Sequence, residues 1–335
     1  MACTGATLSA LVLSKMARQA TEARRVSSDE SVDAAKVHSG PEVVGSHQQC
    51  EIPPIRMAQQ DLNPVFAASY PGSGSSMVRH LIESLMGLAT GDEWFKITRR
   101  AIALKTHFPH RHGTAFEWSH EIDHALLIMR NPRDAIPSFF NHLYEKENNL
   151  THHTKRAPLD EWIGWRNRKF SEELLLWEDF VRYWVDNFPP DRRLVVTYEG
   201  LTKGSTGPGA ARSVASFLQR SVTGVRSVVP NGHIPCVWYK VVKYDAAENK
   251  QTGKKFGSLR SGKEGRPYTR NQLVHMVTVL SNLRDRYAGT GAEPELTLVL
   301  EEYIEDIGRN LRVHKEEIDR KIEAKEVMQA RSSLT

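Results

Sequence analysis

Ser69-Tyr70-Pro71-Gly72-Ser73-Gly74-Ser75-Ser76 is the stretch on which the reading of the fold turns. Before it, Val65-Phe66-Ala67-Ala68 is an apolar run of buried-strand length. After it, Met77-Val78-Arg79-His80-Leu81-Ile82-Glu83-Ser84-Leu85-Met86 carries apolar residues at helical spacing. Ser75 or Ser76 is the expected N-cap of that helix. A strand, a Gly/Ser loop and a helix start gather backbone N–H groups and a positive dipole end at one point, which suits a phosphate. Gly72 and Gly74 let the backbone approach an anion with no Cβ in the way. Taken alone, the same letters also describe an ordinary strand-to-helix connection. The loop lacks the Gly-Lys-[Ser/Thr] ending of nucleoside-triphosphate loops, which counts against a P-loop kinase.

Working outward, 335 residues hold one good-sized domain with tails, or two small ones. The net charge of +5 is a weak pointer to anionic ligands. Cys3, Cys50 and Cys236 are odd in number and far apart, which argues against a disulfide framework or a zinc site and for a reducing, cytoplasmic location. Ala10-Leu11-Val12-Leu13 is too short to cross a bilayer. Residues 1–28 lean towards Ala, Ser, Thr and Arg with Glu22 the only acid, so an organelle transit peptide is the alternative to a disordered extension.

Residues 1–60 show no sustained periodicity and are expected to be disordered or a targeting extension, with the folded domain beginning near Leu62. Residues 101–106 and the continuously apolar 125–129 are strand candidates, and 134–144 reads as a helix entered through Pro132. Residues 162–188 form a long aromatic-rich helical region stopped by Pro189-Pro190. A fourth strand (194–198), a helix (209–218), an irregular basic stretch (237–269) and helices at 271–285 and 295–329 follow. Strands alternating with helices predict an α/β domain, a parallel sheet with helices on both faces, with ligands at the carboxyl ends of the strands.

Three further segments carry chemistry. In Lys105-Thr106-His107-Phe108-Pro109 the Lys and His lie two apart on a strand, so both address one side of the sheet. His suits a general base and Lys a developing negative charge; a solvated strand end has the same composition. His110 and His112 lack a carboxylate or Cys at metal-ligand spacing, and no metal is expected. Arg130-Asn131-Pro132-Arg133-Asp134, with Ser138 on the next helix, places an Arg and a Ser where both can grip a phosphate, while Arg133-Asp134 also reads as a surface ion pair. Arg260-Ser261-Gly262-Lys263-Glu264-Gly265-Arg266 is either a basic clamp on an anion or a solvated loop. The aromatic residues Trp162, Trp165, Phe170, Trp177, Tyr183 and Trp184 are either core or an acceptor-binding wall.

Together and in this order, these segments resemble the sulfotransferases that use 3′-phosphoadenosine 5′-phosphosulfate (PAPS) and release adenosine 3′,5′-bisphosphate (PAP). The likeness spans roughly residues 65–285. Pro71 to Ser76 is similar to the family's 5′-phosphosulfate loop, and Lys105 to Pro109 to the Lys-Thr-His-Leu-Pro of its cytosolic branch. The resemblance implies His107 as catalytic base, assisted by Lys105. It places Gly72, Ser73, Gly74, Ser75 and Ser76 on the 5′-phosphosulfate, Arg130 and Ser138 on the 3′-phosphate, and Tyr198 near adenine. Arg260, Ser261 and Gly262 match a terminal Arg-Lys-Gly clamp, with Ser261 in place of its Lys. Gly72 stands where cytosolic members carry a catalytic lysine and many carbohydrate-directed members an arginine; the Pro-Gly-x-Gly form is closer to the WSC-domain-associated branch. Met77 replaces a Trp beside the adenine.

What this implies is one sulfotransferase domain over residues 62–310 with a helical tail at 311–335, transferring sulfonate from PAPS to a hydroxyl-bearing small molecule or carbohydrate. Alternatives are a catalytically silent PAP-binding protein of the same fold, a P-loop kinase, or a nucleic-acid binder using the basic stretch 250–270, which has no recognised nucleic-acid fold around it. Neither nucleic acid nor a membrane span is expected, and the oligomeric state is open.

Overall fold

The computed structural model describes residues 50–151, 156–243, 266–289 and 293–332, with side chains as far as 313. Arg260, Ser261 and Gly262, most of the irregular basic stretch, and the extension up to residue 49 lie outside the described residues.

Strands β1 (Val65–Ser69), β2 (Gly91–Asp92), β3 (Ala103–Thr106), β4 (Ala125–Met129) and β5 (Arg193–Thr197) form one parallel sheet in the order β2-β3-β1-β4-β5. β1 up to Ala68, and all of β4, are apolar because each strand is buried on both faces. Ala67 of the central β1 pairs with Lys105 on one side and Leu126 on the other. The chain steps from β1 outward and then returns to β4 on the opposite side. Strand order therefore reverses at the carboxyl end of β1, the place where open α/β sheets bind ligands.

The helices are α1 (Ser75–Met86), α2 (Pro132–Glu147), α3 (Leu159–Asn187), α4 (Tyr198–Thr202), α5 (Gly207–Ser221), α6 (Ile234–Trp238), α7 (Arg270–Ala288) and α8 (Pro294–Ser332). On one face Ala67, Leu126 and Ile128 meet Leu81, Ile82 and Leu85 of α1, Phe217 of α5 and Trp238 of α6. On the other, Phe66, Ala68, Leu127 and Met129 meet α2, α3, α7 and α8 through Phe139, Trp177, Leu280 and Leu300. Burying side chains of this size stabilises the fold by about 2 kcal/mol each. Of the aromatic residues weighed as an acceptor wall, Trp162, Phe170, Trp177 and Trp184 are buried in this second core, and Trp165 and Tyr183 pack against it.

Three expectations need correction, and one strand goes beyond them. The helix after the Gly/Ser loop is capped by Gly74 in the left-handed conformation, φ 88°, with Ser75 its first residue, so neither serine is the N-cap. The two-residue β2 has no signal in hydrophobic periodicity. Part of the stretch read as irregular is helical: α6 runs on into a wide π turn, Tyr239–Lys243. Finally, Cys50 and Cys236 form a disulfide, contrary to the reading of the cysteine count. The folded part accordingly includes residues before Leu62: Arg56 bonds the backbone of Gly87 and Ala89, and Ala58 that of Arg100. At the other end, α8 passes through residue 311 without a break.

Candidate active site

The loop from Tyr70 to Gly74 leaves β1 as a tight turn in which Ser73 N–H donates to the Tyr70 carbonyl, 3.1 Å. That N–H is therefore spent inside the loop. The first-turn N–H groups of Ser75 and Ser76 have no acceptor within the helix and point outward at its positive end. Gly72 and Gly74 both have positive φ, 86° and 88°. A Cβ on Gly72 would lie 2.5 Å from the Ala135 carbonyl and 2.7 Å from the Phe139 nitrogen, both backbone atoms of α2. A side chain cannot be carried there with the loop in this conformation, which accounts for the absence of the loop cation. A Cβ on Gly74 would meet the Tyr198 ring at 2.6 Å.

Arg130, at the tip of β4, donates to the Gly72 carbonyl at 2.7 Å and stacks its guanidinium on Tyr198, 4.2 Å from the ring centre. Ser138 packs on the α2 side of Gly72, its Cβ 3.2 Å from the point a side chain there would occupy. Gly72, Gly74, Arg130, Ser138 and Tyr198 thus come together from three strand ends and α2. Tyr198 lies over Gly74 and Arg130, so its ring shapes the loop. Two buried polar atoms in this cluster, Ser73 Oγ and Arg130 Nε, have no hydrogen-bond partner among the described residues. Such atoms are costly unless each is given a polar partner. A cradle of glycines, free helix N–H groups and an unmatched guanidinium N–H fits a phosphate-bearing ligand.

Indole groups hold this frame from below. Trp177 Nε1 donates to the Arg130 carbonyl at 3.2 Å and Trp184 Nε1 to the Phe108 carbonyl at 2.8 Å. The Arg130 turn is also clasped from the C-terminal side: Asn131 N–H donates to Glu199, whose other oxygen accepts from Tyr303, and Asp306 receives Asn131 Nδ2 and Arg133. Arg133 therefore pairs with α8 as well as with Asp134.

At the end of β3, His107 is buried and its Nδ1 lies 2.6 Å from the Ser69 carbonyl. A carbonyl only accepts, so Nδ1 carries the proton and Nε2 keeps its lone pair. Burial, together with the Lys105 charge, holds the imidazole well below its usual pKa, in the neutral form. Lys105, on the same side of the sheet, has its pKa lowered to about 8, mainly by burial and then by Arg79, against Asp92 and Glu93. Arg79 itself is held by Thr90 Oγ1, 2.9 Å, and lies 3.6 Å from Asp92.

Residues that sequence reasoning passed over fix this geometry. Glu93, almost wholly buried, accepts from Thr106 Oγ1 at 2.5 Å, His107 N–H at 2.7 Å and Thr114 N–H at 3.0 Å. Trp94 lies against both candidate catalytic groups, its ring 5.4 Å from that of His107 and 4.8 Å from Lys105 Nζ. Neither has a motif; a single acid and a single Trp after a two-residue strand stand out only once the backbone has brought them to the end of β3. Nearby, Tyr70 and His110 share the buried carboxylate of Glu173, which also pairs with Arg111. That network ties the start of the loop to α3.

No protein-family profile matches the chain. Over 166 residues it is 26% identical to a WSCD family member from Aedes aegypti, covering 45% of this chain and 48% of that protein. The matched region thus spans about half the length of that curated relative. Among solved structures the chain is similar to a mouse sulfotransferase, SULT7A1, crystallised in complex with PAP. That likeness has a TM-score of 0.46 and 16% identity, and covers 72% of this chain and 88% of the other.

Proposed function

We propose that the chain is a sulfotransferase that moves the sulfonate group of PAPS to a hydroxyl of a small-molecule or carbohydrate acceptor. The observation that carries this reading is the placing of one neutral imidazole, His107, on the Ser69 carbonyl at the mouth of the glycine loop. In the proposed reaction His107 Nε2 takes the acceptor's hydroxyl proton as that oxygen attacks sulfur. The bond from sulfur to the bridging oxygen breaks, and PAP leaves with the electron pair. Ser75 and Ser76 N–H groups meet the charge of the 5′-phosphate, and the Lys105 ammonium the charge growing on the bridging oxygen. Arg130 and Ser138 hold the 3′-phosphate, with Arg130 Nε as a waiting donor there and Ser73 Oγ as one on the 5′ side. Most of the catalysis falls to positioning, as in phosphoryl transfer. A catalytically silent PAP binder would need the cradle and have no use for the imidazole.

The test is calorimetry with PAP against ATP, followed by transfer of radiolabelled sulfonate from PAPS to acceptor pools. His107→Gln is expected to bind PAP within about twofold of the parent and to lose about a thousandfold in turnover, the middle of the range for a general base. Binding of ATP in preference to PAP, or undiminished transfer by the variant, would overturn the reading.

A further inference from the structure

Resting on that reading, one feature beside the site bears on the acceptor. The turn Trp94-Phe95-Lys96-Ile97 leaves three apolar side chains open: Trp94 is 37% exposed, Ile97 40% and Phe95 95%. The core has no use for Phe95 there, and an exposed apolar cluster of this kind marks a binding surface. The turn is also rigidly placed. Asp92 Oδ1 accepts from Trp94 N–H at 3.1 Å and Phe95 N–H at 2.8 Å, and Asp92 bridges to Lys96 across it. From inside, Glu93 bonds the backbone of His107, fixing the turn to the candidate base. One part of the Trp94 surface is covered by His107 and Lys105; the rest faces solvent with Phe95. Trp94 thus joins the open turn to both candidate catalytic groups.

We propose that Trp94 and Phe95 form the acceptor platform and that the acceptor is a glycan, one sugar ring stacked on Trp94 and the chain continuing over Phe95. The chemistry favours this class in two ways. A pyranose packs its C–H face on an aromatic ring while its hydroxyls stay in water, so it suits a platform as open as Phe95. A small flat phenol is held instead by enclosure, in a pocket that covers most of its surface.

The experiment offers radiolabelled PAPS with oligosaccharides released from a mixed glycoprotein and polysaccharide digest, and with para-nitrophenol as the small phenol. PAP binding by calorimetry runs on every protein. Label is expected in the oligosaccharide fraction. With the labelled oligosaccharide purified as substrate, Phe95→Ala is expected to raise KM about five- to tenfold, the worth of one stacking contact, with PAP affinity held within about twofold. Leu175→Ala, an exposed apolar truncation on α3, is the control expected to move neither. A protein that binds PAP but labels only para-nitrophenol, or no saccharide, overturns the glycan assignment and leaves the nucleotide reading standing. An unchanged KM in Phe95→Ala overturns the platform. Failure to bind PAP instead removes the reading beneath both.

Discussion

At Gly72 the backbone of α2 stands where a β-carbon would go, and this decides what the loop can contribute. Writing the lysine of the cytosolic sulfotransferases into this position with Gly72→Lys combines that collision with a positive φ of 86°. The expected outcome is a loss of about 2–4 kcal/mol in denaturant unfolding and weaker PAP binding, with no gain in transfer. A stable, more active variant would show that the loop opens away from Ala135 and Phe139. Charge must then come from the strand. In the proposed reaction Lys105 works as a cation, so its pKa of about 8 should set the alkaline limb of activity near that pH, where an exposed lysine would stay charged beyond pH 10. The proposed base, His107, has to be unprotonated, and its lowered pKa should put the acid limb below the usual histidine range. The pH profile of kcat/KM should be a bell between these limits. Asp92 raises the Lys105 pKa, so Asp92→Asn should pull the alkaline limb below pH 8; a limb that stays put would remove Lys105 as the titrating group.

Between α1 and the residue leading into β2, one carboxylate makes two of the bonds beside those of Arg79. Glu83, near the end of α1, accepts Thr90 N–H at 3.0 Å and Thr90 Oγ1 at 2.6 Å, and pairs with His80. Burial pushes its pKa up, but the bonds from His80 and Thr90 outweigh this and bring it to about 2. A folded pKa below the unfolded 4.5 means stability that is fully present above pH 4.5 and lost as pH falls towards 2. The shift corresponds to about 3 kcal/mol. Glu83→Gln should therefore cost about 2–3 kcal/mol at pH 7 and little at pH 2.5, measured as urea midpoints at both. An equal cost at the two pH values would point to packing as the cause. This joint shows where element-scale reading stopped. Periodicity marked β1, α1 and β4, because strands buried on both faces and a helix with one buried face write their environment into the sequence. β2, only Gly91 and Asp92, has no period to read. Yet it aims Asp92, Glu93 and Trp94 at the end of β3. His107, Lys105 and the loop were legible as motifs; the acid beneath them and the aromatic beside them were not.

Across the whole molecule, the disulfide joins Cys50 to Cys236 over 186 positions. Spacing could not announce it, because two cysteines so far apart meet only when the sheet and α6 have brought residue 236 to the segment before β1. Both are buried, and Lys240 donates to the Cys50 carbonyl, so the segment from 50 to 62 is fastened to the domain at its start and again through Arg56 and Ala58. Closing a loop of this length removes about 5 kcal/mol of chain entropy from the unfolded state, and native disulfides commonly give about 2–4 kcal/mol. Such bonds persist in oxidising compartments, so the bond withdraws the support that the cysteine count lent to a cytoplasmic location. The expectation is that protein prepared without reductant yields one cross-linked peptide pair containing residues 50 and 236. Cys236→Ser should lower stability by about 2–4 kcal/mol, and dithiothreitol should lower the parent to the same level while leaving the variant unmoved. PAP affinity should change far less than stability, because the bond lies against α6 and the glycine loop is held by α2, Arg130 and Tyr198. Free thiols at both positions, or a variant as stable as the oxidised parent, would remove the disulfide as a stabilising tie and leave the Arg56 and Ala58 backbone bonds to hold the segment.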